Sequence, residues 1–89
     1  MIDYIRNEGG SAELIRNKET AMNGRVTLRA YTDLAILMPA VERLARERAV
    51  TSIIVESRAT ELEIPPLTAL GYTYVCSKPN NRILMAKIL

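Results

Sequence analysis

The sequence predicts an α/β fold: a mixed sheet with a βαβ unit, a short second helix and a C-terminal antiparallel hairpin. Three observations carry this reading. Arg25–Tyr31 alternates apolar and polar residues with the period of a half-buried strand. Leu34, Leu37, Met38, Val41, Leu44 and Ala45 repeat at helical spacing. Thr51–Glu56 is a β-branched run without clean alternation, the pattern of a strand buried on both faces, as in parallel sheets. Strand, helix and strand in so short a stretch make a βαβ unit.

Taken from the N-terminus, Asp3–Arg6 reads as a short strand and Gly9-Gly10 as a turn. Ser11–Lys18 fits either a second strand or a short helix. Asn23-Gly24 is turn chemistry, because both residues tolerate positive φ. Thr32 and Asp33 precede the helical stripe, where a side-chain oxygen accepts from the first turn's N–H groups. Pro39 interrupts that stripe and predicts a kink or a restart. Ser57–Glu63 reads as a loop. Pro65-Pro66 confines the second helix to one or two turns, ending before Gly71 in the left-handed position. Tyr72–Cys76 and Arg82–Leu89 read as strands joined by the turn Lys78-Pro79-Asn80-Asn81.

The chain has 89 residues, the size of one domain, 1–89, with residues 1–24 irregular or in short strands. Such a domain buries only roughly 60–65% of its unfolded surface, so association would help it. With no Phe or Trp, its core must be aliphatic. A net charge of +2 is too weak to argue for nucleic acid. The absence of His removes His-based triads and the usual zinc sites, so no metal ligands are expected. One cysteine, Cys76, allows no internal disulfide and fits a reducing compartment. No stretch reaches the roughly 18–20 apolar residues of a membrane span, and Met1–Arg6 has no apolar run of the signal-peptide kind. The expected location is the cytoplasm, or the inside of a virion or other assembly, without secretion.

Several segments, in order, resemble the C-terminal half of the GNAT superfamily of N-acetyltransferases. Val41–Val50 followed by Thr51–Glu56 is similar to that family's central helix running into its fifth strand. Leu70-Gly71-Tyr72 is similar to its Leu-Gly-Phe (or Tyr) step, and Asn81–Leu89 to its closing Met-x-Lys-x-Leu strand. The resemblance spans residues 25–89. It implies a GNAT-like fold in which the fourth and fifth strands splay and the pantetheine arm of acetyl-CoA pairs with the exposed backbone.

The departures from that pattern concern the chemistry. The family's turn before the central helix carries a Gln/Arg-x-x-Gly-x-Gly/Ala segment whose bare N–H groups face the coenzyme pyrophosphate. Here the matching residues are Tyr31, Thr32, Asp33, Leu34 and Ala35, with no glycine or arginine. Asp33 puts a carboxylate where a pyrophosphate belongs, and like charges repel. The family often has an Asn after the fifth strand and, two helical turns later, a Tyr that protonates the leaving thiolate. These positions fall on Thr60 and Leu67, and Leu67 cannot donate a proton. The family's first half is also longer than residues 1–24, so elements of the acceptor site are expected to be lost.

The expected function is therefore that of a non-catalytic GNAT-like structural or interaction protein in an oligomer or larger assembly. Small GNAT-like proteins also occur among bacteriophage proteins, some as virion components, which makes a phage virion role one form of this reading. No catalytic residue and no cofactor are expected. The alternative is a minimal acetyl-CoA-dependent N-acetyltransferase, with Tyr31, Thr32, Asp33, Leu34 and Ala35 as its cofactor-binding segment. The N–H groups of Leu34 and Ala35 would then serve a helix N-terminus, and catalysis would rest on positioning an amine against the thioester.

A third reading, an anionic-partner or nucleic-acid binder, rests on Arg16, Lys18, Arg25 and Arg29 and on Arg43, Arg46 and Arg48. Glu13, Glu19, Glu42 and Glu47 interleave with them, so a solvated, charge-balanced face is the expectation. No aromatic platform accompanies them, and nucleic acid is not expected as a partner. Cys76 is expected to be a buried structural thiol. Glu61 and Glu63 are expected on a surface loop, with a general-base role as the functional alternative. Tyr31 and Tyr72 are expected to pack, Tyr31 near the coenzyme position. If nothing binds between the splayed strands, their backbone groups need partners from side chains, water or a neighbouring chain. A trimmed sheet also exposes an edge, which predicts a protein partner or self-association.

Overall fold

The computed structural model describes residues 2–16 and 23–89. The chain runs β1 (Ile2–Asn7), β2 (Gly10–Arg16), β3 (Asn23–Tyr31), α1 (Leu34–Glu47), β4 (Ser52–Arg58), α2 (Ile64–Ala69), β5 (Thr73–Lys78) and β6 (Arg82–Ile88). Six strands form one sheet in the order β1-β2-β3-β4-β6-β5. β3 and β4 pair in parallel across the α1 crossover, and the other neighbours are antiparallel. The α/β expectation, with its βαβ unit, short second helix and C-terminal hairpin, is met. Lys18, whose place in a second strand or helix the sequence left open, lies outside the described residues, as does Glu19.

The core follows from strand alternation. Register aligns Leu14 with Val26, Val26 with Val55 and Val55 with Met85, one row across four strands. All four side chains are buried, as are Leu34, Leu37, Met38, Val41 and Ala45 of α1 and Leu67 of α2. The predicted helical stripe thus meets the sheet on one face, and α1 also touches α2. The residues between, such as Ile15, Arg25, Ile54 and Ala86, share the opposite face and are only half-buried or exposed.

One local reading is corrected and two that were left open are narrowed. Asn23-Gly24 is no turn: it opens β3, and Gly24 lacks positive φ. A Cβ there would meet Leu14 Cδ1 at 2.8 Å and Val50 Cγ1 at 3.1 Å, so the glycine serves close packing. α1 continues through Pro39 without a restart. The carbonyl that Pro39 leaves without a donor belongs to exposed Ala35, within reach of solvent. Residues 11–16 are a strand, excluding the short helix.

Both helices end in the same hydrogen-bonded motif. After α2, Tyr72 N donates to Leu67 O (3.0 Å) and Gly71 N to Thr68 O (3.0 Å), with Gly71 at φ 96°. This is the Schellman arrangement, for which glycine's missing Cβ is suited. After α1, Val50 N donates to Ala45 O (2.9 Å) and Ala49 N to Arg46 O (3.1 Å). There the left-handed position holds Ala49, at φ 61°, an alanine in a conformation that its Cβ disfavours.

Candidate functional site

The segment Tyr31–Ala35 carries the chain from β3 into α1, and its backbone donors are largely spent within the fold. Asp33 is the N-cap of α1, and its Oδ1 accepts from Ala35 N at 2.9 Å. The β1–β2 turn docks on the same helix end. Gly9 O accepts from Thr32 N (2.9 Å) and Asp33 N (3.1 Å). The turn is held by Asn7, whose Oδ1 accepts from Gly9 N (2.7 Å) and whose Nδ2 donates to Ile36 O (3.1 Å). Thr32 Oγ1 donates to Glu8 O at 3.2 Å. A carboxylate and a carbonyl thus occupy the positive end of α1, where an anionic ligand would be stabilised.

Beyond this turn the sheet opens. The β3–β4 register ends at Thr27 opposite Glu56, while β3 runs on to Tyr31 and β4 to Arg58. The opened strands leave a hollow of about 180 Å³ lined by Leu28, Tyr31, Glu56, Arg58, Glu63 and Arg82, among others. Glu63, only 3% exposed, reaches back from the start of α2 so that its Oε2 accepts from Arg58 N at 3.0 Å. One backbone donor of the opened β4 is therefore met by a side chain. Burial, and next the Glu63 carboxylate, raise the Tyr31 phenol above its ordinary range, with Arg58 opposing. The expectation that Glu63 lies on a surface loop is corrected: the loop is surface, but a backbone N–H without a strand partner draws the carboxylate inward. Glu61 is exposed.

Leu67, at the position of the family's proton donor, is a fully buried core residue. Thr60 O accepts from Glu63 N (3.3 Å) and Ile64 N (3.0 Å), a structural turn into α2. Cys76 is exposed, which corrects its reading as a buried thiol. It lies on β5, an edge strand whose residues are all exposed, so the strand pattern alone did not reveal its burial.

One polar cluster escaped the sequence reading. Glu42 sits within the apolar stripe of α1 and is 5% exposed. Tyr72 Oη donates to its Oε2 (3.1 Å), and Lys87 Nζ donates to its Oε1 (2.8 Å) and to Leu70 O (2.8 Å). The Lys87 ammonium also lies 5.6 Å from the Tyr72 ring centroid. Burial and then Glu42 push the Tyr72 phenol far above its usual value. The available signal was positional: Glu42 is four residues from Met38 and three from Ala45, on the stripe. The cluster joins α1, the end of α2, the start of β5, and β6.

The arginines singled out in the sequence are mostly paired. Arg25 donates to Glu56 Oε2 (2.7 Å), Arg29 pairs with Glu13 (3.5 Å), and Asp3 pairs with Arg16 (3.2 Å) and Arg48 (3.5 Å). Arg46 lies 3.8 Å from Glu42. These contacts match the charge-balanced reading.

The fold and this geometry define a class. The chain has a GNAT-like fold. It superposes on the crystal structure of a Klebsiella pneumoniae protein named for acyl-CoA N-acyltransferase activity, with a TM-score of 0.74 and 23% identity over 91% of this chain. It also superposes on Ard1 from Thermoplasma volcanium, with a TM-score of 0.67 and 20% identity over 88% of this chain. It spans 63% and 62% of those two chains, respectively. No protein-family model and no curated protein matches the sequence.

Proposed function

We propose that this GNAT-like domain is a binding or assembly module that does not use acetyl-CoA at the position the fold implies. The observation that carries the reading is the occupied N-terminus of α1. A pyrophosphate there needs bare N–H groups and a close backbone approach. Here the N–H groups of Thr32, Asp33 and Ala35 have partners inside the fold, and the Asp33 carboxylate repels an anion. The residues present do not fit the coenzyme. Leu67 adds to this, being unable to transfer a proton.

The outer surface supports a binding role. β1 and β5 bound the sheet among the described residues. β5 carries a register shift between Tyr74 and Cys76, which blunts an edge. β1 carries the charges of Asp3 and Arg6 but no Pro, and it exposes Ile2 and Tyr4, the latter 74% exposed. Such an edge recruits a second copy or another protein.

The opened end of β3 and β4 is the one feature favouring a minimal N-acetyltransferase instead. Calorimetric titration with acetyl-CoA separates the two. The expected result is no heat, and no change in melting temperature with excess ligand. A micromolar dissociation constant, about −8 kcal/mol, would overturn the proposal in favour of the enzyme. Sedimentation over a wide concentration range tests the edge: a monodisperse monomer throughout would remove self-association.

A further inference from the structure

Strand register sets Arg58 of β4 opposite Arg82 of β6, and Arg82 opposite Lys78 of β5. Side chains so opposed have Cβ atoms about 4.5–5.5 Å apart, and like charges there destabilise a sheet. Their neighbours Ser57 and Ile83 are buried on the helix side, so alternation puts this row of cations on the open face. All three residues are exposed, and no ion pair among the described residues includes any of them. Of the other cations that alternation places on this face, Arg25 and Arg29 have carboxylate partners, and Arg6 stands apart on the edge strand β1. Glu56, the carboxylate nearest this row on the same face, is already paired with Arg25, so among the described residues the row keeps a net positive charge that an anion would offset.

Arg58 and Arg82 of this row line the hollow where β3 and β4 part, and Lys78 is the next residue along the row. Two carboxylates also line that hollow, Glu56 holding the Arg25 guanidinium and Glu63 accepting from Arg58 N, so an anion is placed at the cationic rim and not against them. The Arg25 hydrogen bond, and to a lesser extent the charges of Lys78 and Arg82, hold the Glu56 carboxyl below its usual range, so these cations converge on this rim. The hollow, about 180 Å³, admits an oxyanion group. A doubly charged phosphate matches two guanidinium forks and an ammonium better than a single carboxylate does.

We propose that Arg58, Arg82 and Lys78, with the adjoining hollow, bind the phosphate group of a small phosphorylated molecule. The cations lie away from the α1 N-terminus, but Tyr31 lines the hollow, so the proposal rests on the reading that acetyl-CoA does not occupy the opened strands. The test is calorimetric titration of the whole chain with inorganic pyrophosphate at low salt. The wild type is expected to show saturable binding. Arg82→Gln and Lys78→Gln are each expected to weaken it by about tenfold or more, while Arg43→Gln, on an exposed face of α1, leaves it within about twofold. Removing one cation from a like-charge row should not lower the melting temperature of the unliganded protein, which separates loss of the site from loss of the fold. The proposal is overturned by absent or unsaturable binding, or by equal weakening in all three variants. It is also overturned if a single-stranded oligonucleotide binds more tightly than pyrophosphate, with affinity rising with length.

Discussion

The Tyr72 hydroxyl donates to the Glu42 carboxylate across 3.1 Å inside the domain. The end of α2 makes this possible: the bond from Tyr72 N to Leu67 O turns the chain so that the ring drops beside α1. Glu42 is a charge within an apolar stripe, tolerated because a phenol and an ammonium satisfy it. Tyr72→Phe is expected to lower stability by about 1–3 kcal/mol, the cost of removing one partner from a buried charged acceptor. Urea denaturation measures it through the midpoint.

Burial of the Tyr72 phenol, and next the Glu42 carboxylate, sets an alkaline limit. The folded-state pKa of Tyr72 lies above its ordinary value of 10.0. The folded protein therefore keeps a proton that the unfolded chain releases above that pH. The stabilisation is complete below pH 10 and is lost as pH rises further. Denaturation midpoints between pH 8 and about 11 should fall for the wild type, and less steeply for Tyr72→Phe.

Gly9 is fitted to the start of α1 by contact distance. A Cβ at this position would meet Asp33 O at 2.5 Å and Leu37 N at 2.6 Å, both backbone atoms that cannot swing aside. Gly9→Ala is expected to cost about 1–3 kcal/mol through overpacking, and to free the N–H groups of Thr32 and Asp33. Thermal melting reads the cost. Hydrogen exchange at those two amides should quicken if the turn lifts away.

Ala49 gives the opposite sign. It occupies the left-handed position after α1 without the benefit of a missing Cβ. Ala49→Gly is expected to raise stability by about 1 kcal/mol, seen as a higher urea midpoint at an unchanged slope.

Cys76 stands exposed on the edge strand β5. In the native protein it should react completely with a thiol reagent, at a rate within about tenfold of that in denaturant. Strong protection in the native state would mean that β5 is covered in solution, by a second copy or another chain.

Much of the fold was readable because its signals are local. Alternation in Arg25–Tyr31, the stripe from Leu34 to Ala45, and the glycine after α2 each depend on neighbours a few residues away. The misreadings share one cause. Asn23-Gly24 has turn chemistry, but Gly24 answers to Leu14 and Val50, distant in sequence. Cys76 lies in a strand, and only the sheet order makes that strand an edge. Glu63 lies in a loop, and only the parting of β3 from β4 gives it an unpaired strand N–H to satisfy.

The candidate site divides in the same way. Residue types alone established that Tyr31–Ala35 lacks the glycines of a phosphate turn, that Leu67 cannot move a proton, and that no histidine is present. These depend on side-chain chemistry, which needs no coordinates. Tertiary structure decided that the Gly9 carbonyl closes the α1 N-terminus, that Glu42 and Tyr72 meet, and that Arg58, Arg82 and Lys78 stand in one row. Each of these depends on strand register or on the docking of a turn, where backbone hydrogen bonds between distant segments fix distances that no local pattern encodes.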